Sequence, residues 1–133
     1  MTSGKIVDTS VWIDFFNDVD GSQTSLIALF IENNELFMLP VILQEVLQGI
    51  RDEKTFTAVK KAFLEHPFAI YNNIDMAIDA ASLFRFLRIK GVSIRKPNDC
   101  LIAAICLNNN FSLLHKDRDF DNIAKYTSLK IYK

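Results

Sequence analysis

Lys5-Ile6-Val7-Asp8-Thr9-Ser10-Val11-Trp12-Ile13-Asp14 is the stretch that decides the fold. Lys5 to Asp8 is short, β-branched and closes on an acid, which reads as a strand. Thr9 or Ser10 then caps a helix running through Trp12 and Phe16. A strand that passes straight into a helix is the opening of an α/β fold, and the same alternation recurs along the chain. Asp18, Asp20 and Gly21 mark a loop, and Ser22 to Asn33 is a second helix with Leu26, Leu29 and Phe30 on one face. Leu36 to Leu39 is a buried type of strand, ended by Pro40, which starts a helix carrying Val41, Val46 and Leu47 up to Gly49. A basic amphipathic helix follows over Lys54 to Glu65, then a short strand over Phe68 to Tyr71. A long helix over Asp75 to Lys90 is stopped by Gly91. Pro97 begins a helix that runs through Leu107 and frays at Asn108-Asn109-Asn110. Ser112 to His115 is the fourth strand, Phe120 to Lys125 a short helical turn, and Leu129 to Tyr132 a last strand at an edge. This order predicts a mostly parallel central sheet covered by helices on both faces. With no internal repeat, linker or low-complexity stretch, residues 1–133 read as one domain.

Bulk composition agrees with a globular chain of that size. The chain has 133 residues, 50% hydrophobic and 23% charged, which suits a packed core rather than disorder. Fifteen basic and 16 acidic residues give a net charge of −1, so affinity for nucleic acid has to come from the arrangement of charge and not from its sum. Cys100 and Cys106 share one predicted helix and point about 120° apart, which makes a bridge between them unfavourable and a buried apolar role natural. No spacing suits a zinc site or disulfide framework. The N-terminus lacks the pattern of a signal peptide and no apolar run suits a membrane span, so the expected location is the cytoplasm.

In open parallel sheets, ligands gather at the carboxyl ends of the strands. Asp8 ends the first strand and Asp117 follows the fourth. Asp99 lies in the first turn of the helix begun by Pro97, and Glu45 lies in the helix after the second strand. Each acid alone has an ordinary reading as a helix cap or a solvated residue. Together, at one sheet edge, the four carboxylates repel one another unless a cation joins them. An all-oxygen set with no Cys or His suits Mg²⁺, with Mn²⁺ as a substitute, and not zinc.

The sequence around these acids resembles the PIN-domain family, and within it the VapC-like toxins. Asp8-Thr9-Ser10-Val11-Trp12-Ile13-Asp14 resembles the opening motif. Leu43-Gln44-Glu45-Val46-Leu47-Gln48-Gly49 resembles the second acidic block. Pro97-Asn98-Asp99-Cys100-Leu101-Ile102-Ala103-Ala104 resembles the third, and Leu113-Leu114-His115-Lys116-Asp117-Arg118-Asp119-Phe120 the last. The blocks stand in family order and span nearly the whole chain. The resemblance implies a PIN-like, Rossmann-like three-layer α/β domain. It further implies a Mg²⁺-dependent endoribonuclease that is the toxin half of a toxin–antitoxin pair, held inactive by a cognate antitoxin. Asp8, Glu45, Asp99 and Asp117 would be the catalytic, metal-binding acids, with Asp8 and Asp99 as direct ligands and Glu45 and Asp117 acting partly through water. Asp119 is close enough in sequence to share the role of Asp117, while Asp14 and Asp121 read as surface acids.

Other residues carry two readings each. Arg95, Lys96, Lys116 and Arg118 flank the acids and are candidates to hold RNA phosphates, or else ordinary solvated charges. Lys60 and Lys61 read as surface. His115 is a strand histidine with a satisfied hydrogen bond, or a proton donor. Ser10 and Thr9 are helix caps, or partners of an acid. Trp12, Phe15 and Phe16 form core, or an apolar groove for an antitoxin helix. Apolar helical faces, including Leu83, Phe84 and Leu87, are candidates for a homodimer contact. The competing functions are a structure-specific DNA nuclease, an RNA-binding or interaction module without cleavage, and a receiver-like or phosphatase-like domain. The first lacks room for DNA-gripping elements, the second is expected to have lost acids, and the third lacks its set of partner residues.

Overall fold

A computed structural model describes residues 4–18 and 20–132 of the chain. Position 19, inside the expected Asp18-to-Gly21 loop, lies outside the described residues. The elements are β1 (Lys5–Val7), α1 (Thr9–Phe16), α2 (Ser22–Glu32), α3 (Pro40–Gln48), α4 (Glu53–Leu64), α5 (Asn73–Ile89), α6 (Pro97–Asn109), β2 (Ser112–Leu114), α7 (Arg118–Tyr126) and β3 (Lys130–Ile131).

The three strands lie side by side in the order β1-β2-β3, with both pairings parallel. Ile6 faces Leu113, and Ser112 faces Lys130. Two isolated parallel bridges extend the sheet beyond β1, Lys5 to Leu36 and Met38 to Phe68. The expected strands at Leu36–Leu39 and Phe68–Tyr71 are thus single bridges. Pro40 removes a donor just after the first, and the backbone around the second pairs on one side through Met38–Pro67 and Ala69–Met38 hydrogen bonds. Side chains alternate across a strand, yet Ile6 and Val7 are both buried, as are Leu113 and Leu114. Both faces of the sheet are therefore covered, which makes this an α/β sandwich of helices around a parallel sheet.

Helix boundaries follow local chemistry. Pro40 and Pro97 each occupy the first helical turn, where a missing N–H costs nothing. Asp52 and Asn72 cap α4 and α5 by accepting the N–H groups of Thr55 and Asp75. α6 ends on Asn110 in the left-handed conformation, φ 58°. α6 is the central core helix, with Ile102, Ala103, Ile105 and Cys106 essentially inaccessible, and both cysteines free and buried. α5 packs on α6, and α1 packs on α2 and α3. Trp12 belongs to the core and lies 4.7 Å from Phe63 between ring centroids, whereas Phe15 and Phe16 beside it stay partly exposed. On α5 the pattern differs from expectation. Leu87 is fully buried against the core, and the apolar residues left in solvent are Ile74, Ile78, Phe86 and Ile89. Among the described residues no helix is long and apolar enough to cross a membrane.

Candidate active site

The acids meet where the carboxyl ends of β1 and β2 face the N-termini of α1, α6 and α7. The backbone fixes this edge, since the Asp8 N–H donates to the Leu114 carbonyl at 2.9 Å. Asp8, and not Thr9 or Ser10, caps α1. Its Oδ2 accepts the Ser10 N–H at 3.1 Å and the Ser10 hydroxyl at 2.6 Å. Ser10 Oγ in turn accepts the Lys116 N–H at 3.2 Å, binding the α1 start to the turn after β2. Glu45 sits in α3, where Thr9 Oγ1 donates to its Oε1 at 2.7 Å and Asn98 Nδ2 approaches its Oε2 at 3.5 Å. Thr9 and Ser10 are thus both partners of acids.

Asp99, in the first turn of α6, is 2% exposed. Its Oδ2 is buried and has no hydrogen-bond partner. Burial pushes its carboxyl up to about 7; Lys96 works against this, and Asp8, Asp117 and Glu45 add to it. Asp8, Glu45 and Asp117 are thus each within electrostatic reach of Asp99. Asp117 caps α7, its Oδ1 accepting the Asp119 N–H at 3.0 Å. Burial raises its carboxyl, but the Asp119 amide, Lys96 and Arg95 outweigh that and hold it below the ordinary range. Asp119 is 5% exposed, and one oxygen each from Asp99, Asp117 and Asp119 lie within 4.8 Å of one another. The sequence left Asp119 undecided; the geometry makes it a full member of the cluster. The signal was the Asp-x-Asp spacing at a helix N-terminus, where the capping Asp117 accepts the Asp119 N–H.

The basic residues divide. Lys96 Nζ is 3.1 Å from Asp117, and Arg95 reaches Asp117 and Asp119, each at 3.3 Å. Both remain more than half exposed, so their outer faces are open to solvent. Lys116 instead pairs with Asp14, whose side chain is largely buried by the contact. Arg118 is exposed at the first position of α7. Lys60 and Lys61 are exposed, as expected. Asp121 is exposed and pairs with His115, which is itself buried and hydrogen-bonded.

A cluster of carboxylate oxygens, one of them buried and unpartnered, at the carboxyl edge of a parallel sheet has the donor chemistry that suits a hard cation. The family model of the PIN domain matches residues 5–126. The chain belongs to the PIN-domain family. A VapC ribonuclease of Mycobacterium bovis is 34% identical over 131 residues, covering 94% of this chain and 95% of the relative. Ribonuclease VapC11 of Mycobacterium tuberculosis is equally similar over the same share of each chain. Among solved structures, VapBC-1 from nontypeable Haemophilus influenzae matches 97% of this chain and 96% of its own with a TM-score of 0.75 at 17% identity. VapBC2 from Rickettsia felis, solved with a promoter DNA fragment, matches 96% of each chain with a TM-score of 0.76 at 20% identity. At those identities the structures speak for the PIN fold alone, and it is the fold expected of the sequence.

Proposed function

We propose that this PIN-domain protein is a Mg²⁺-dependent endoribonuclease, with Mn²⁺ able to substitute, acting as the toxin of a toxin–antitoxin pair. The observation that carries the reading is the Asp99 carboxylate, buried with one oxygen unpartnered among Asp8, Glu45, Asp117 and Asp119. A divalent cation relieves both the repulsion and the unsatisfied oxygen, and the all-oxygen donor set fits it. The names of the curated relatives, VapC ribonucleases, point to RNA as the substrate.

In this reading Asp8 and Asp99 hold the ion directly, and Glu45 and Asp117 complete the set partly through water. Asp119 lies alongside and orients Arg95. Ser10 and Thr9 keep Asp8 and Glu45 aimed at the centre. The ion, when bound, supplies a water acidified enough to attack phosphorus and a positive charge for the phosphate oxygens. Arg95 and Lys96, with Lys116 and Arg118 further out, hold the flanking RNA phosphates. The partly exposed aromatic edge of Phe15 and Phe16 beside Trp12 is the proposed seat of an antitoxin segment. A homodimer, a cytoplasmic location and a single domain over residues 1–133 complete the reading. The test is cleavage of a defined RNA panel with Mg²⁺ and with EDTA, beside Asp8→Asn. Undiminished cleavage in EDTA sinks the metal mechanism. Capture of the small protein encoded beside the gene tests the toxin assignment.

A further inference from the structure

We propose that His115 is a positioning residue that holds Asp117 in the acidic cluster by accepting its backbone N–H, an inference that rests on the metal reading above. His115 is 7% exposed at the end of β2, and its ring packs on Phe120 at 5.3 Å between centroids. The Asp117 N–H donates to His115 Nδ1 at 3.0 Å. Nδ1 therefore carries a lone pair, and the ring hydrogen belongs on Nε2, which lies 3.2 Å from Asp121 Oδ1. The main chain is held as well, because Gln23 Nε2 donates to the His115 carbonyl at 2.7 Å. The residue is thus anchored from α2 through its backbone and from α7 through Nε2. Its one remaining nitrogen is presented to Asp117.

Asp117 needs that anchor. Its side chain accepts the Asp119 N–H, pairs with Lys96 and Arg95, and lies within 4.8 Å of Asp99 and Asp119 oxygens. All of these contacts depend on where the Asp117 backbone sits: Ser10 Oγ holds the Lys116 N–H at 3.2 Å, the Phe120 N–H holds the Asp117 carbonyl at 3.1 Å, and the Asp117 N–H is held by His115. The lone pair on Nδ1, rather than the bulk of the ring, does the positioning. Loss of a group that orients a metal's ligand typically costs roughly 10–100-fold in metal affinity.

The experiment compares His115→Leu, which keeps bulk and removes the acceptor, with His115→Asn, whose amide oxygen stands where Nδ1 stood. Mn²⁺ affinity is measured by titration on the full chain, and Asp117 amide exchange and the imidazole tautomer by NMR without added metal. His115→Leu should bind Mn²⁺ roughly 10–100-fold more weakly and exchange the Asp117 amide faster. His115→Asn should restore both toward wild type. Wild-type affinity in His115→Leu, or a wild-type ring protonated on Nδ1, overturns the proposal. Should His115→Leu not fold, Asp121→Ala at the exposed end of the network replaces it. Releasing Nε2–H there should speed Asp117 amide exchange, and unchanged exchange counts against the proposal. A wild-type chain that binds no Mn²⁺ overturns the metal reading instead, while the amide and tautomer measurements, which need no metal, still decide whether His115 holds Asp117.

Discussion

The Thr9 hydroxyl donates to Glu45 Oε1 across 2.7 Å, linking the first residue of α1 to α3, 36 positions on. This bond, with the longer Asn98 contact at 3.5 Å, sets where one of the four acids points, because α3 by itself leaves a Glu side chain free to swing. Thr9→Val keeps the shape and removes the donor. Metal affinity and cleavage should fall together by roughly 10–100-fold, with Thr9→Ser retaining most of both. Cleavage rates across a Mg²⁺ series, measured beside thermal melts, check this; a Thr9→Val protein with wild-type Mg²⁺ dependence would remove the assigned role.

Asp99 gives the protein a pH signature. Its carboxyl lies at an ordinary 3.8 when unfolded and about 7 when folded. A folded value raised in this way contributes stability that is fully present below about pH 4 and is lost as pH rises through 7. In EDTA, Asp99→Asn and wild type should melt alike near pH 4. Above pH 7 the variant should be the more stable, while cutting no RNA. Added Mg²⁺ should raise the wild-type melting temperature at pH 8 and leave Asp99→Asn nearly unmoved. Melting curves across pH with and without metal test both signs at once.

Arg95 and Lys96 have their cationic groups against Asp117 and Asp119 and their outer faces in solvent. Replacing either with Ala should weaken RNA binding and lower the slope of log affinity against log salt by about 0.7, the single-strand value for one phosphate contact. Metal affinity should hold or rise, since a competing cation has gone. Binding to an uncleavable RNA at several salt concentrations separates this from a loss of fold. An unchanged slope in both variants would return these residues to plain surface charges.

Ile105 is fully buried in α6, the helix on which α5 packs. Ile105→Ala should cost ~2–5 kcal/mol of stability. Urea unfolding measures it, with the midpoint moving and the slope unchanged. A cost under ~1 kcal/mol would mean that the core collapses around the gap.

What the sequence determined by itself was local. The strand-to-helix alternation, the helices begun by Pro40 and Pro97, and the acids at strand ends and helix starts all follow from periodicity, capping and the missing proline N–H. Each of these acts within a few residues. The extended segments near Leu36 and Phe68 were legible as buried apolar runs, but their reduction to single bridges depends on how much of a neighbouring strand comes within reach. Burial of Leu87 and exposure of Ile74 and Ile78 depend on which side of α5 meets α6, and a helix with apolar residues on several sides leaves that open. The finer order of the site was also beyond local rules. The Ser10 hydroxyl that donates to the capping Asp8 is itself tied to the turn after β2 by the Lys116 N–H. Asp119 joins Asp99 and Asp117 because Arg95, 24 residues earlier, meets it there. Lys116 turns to Asp14 and away from the acids because a partner 102 positions distant is brought beside it. Local propensity sets which residues stand at an edge of the sheet; the direction of a charged side chain there is set by partners that only the folded chain assembles, because its electrostatic and hydrogen-bond energy lies almost entirely in those long-range contacts.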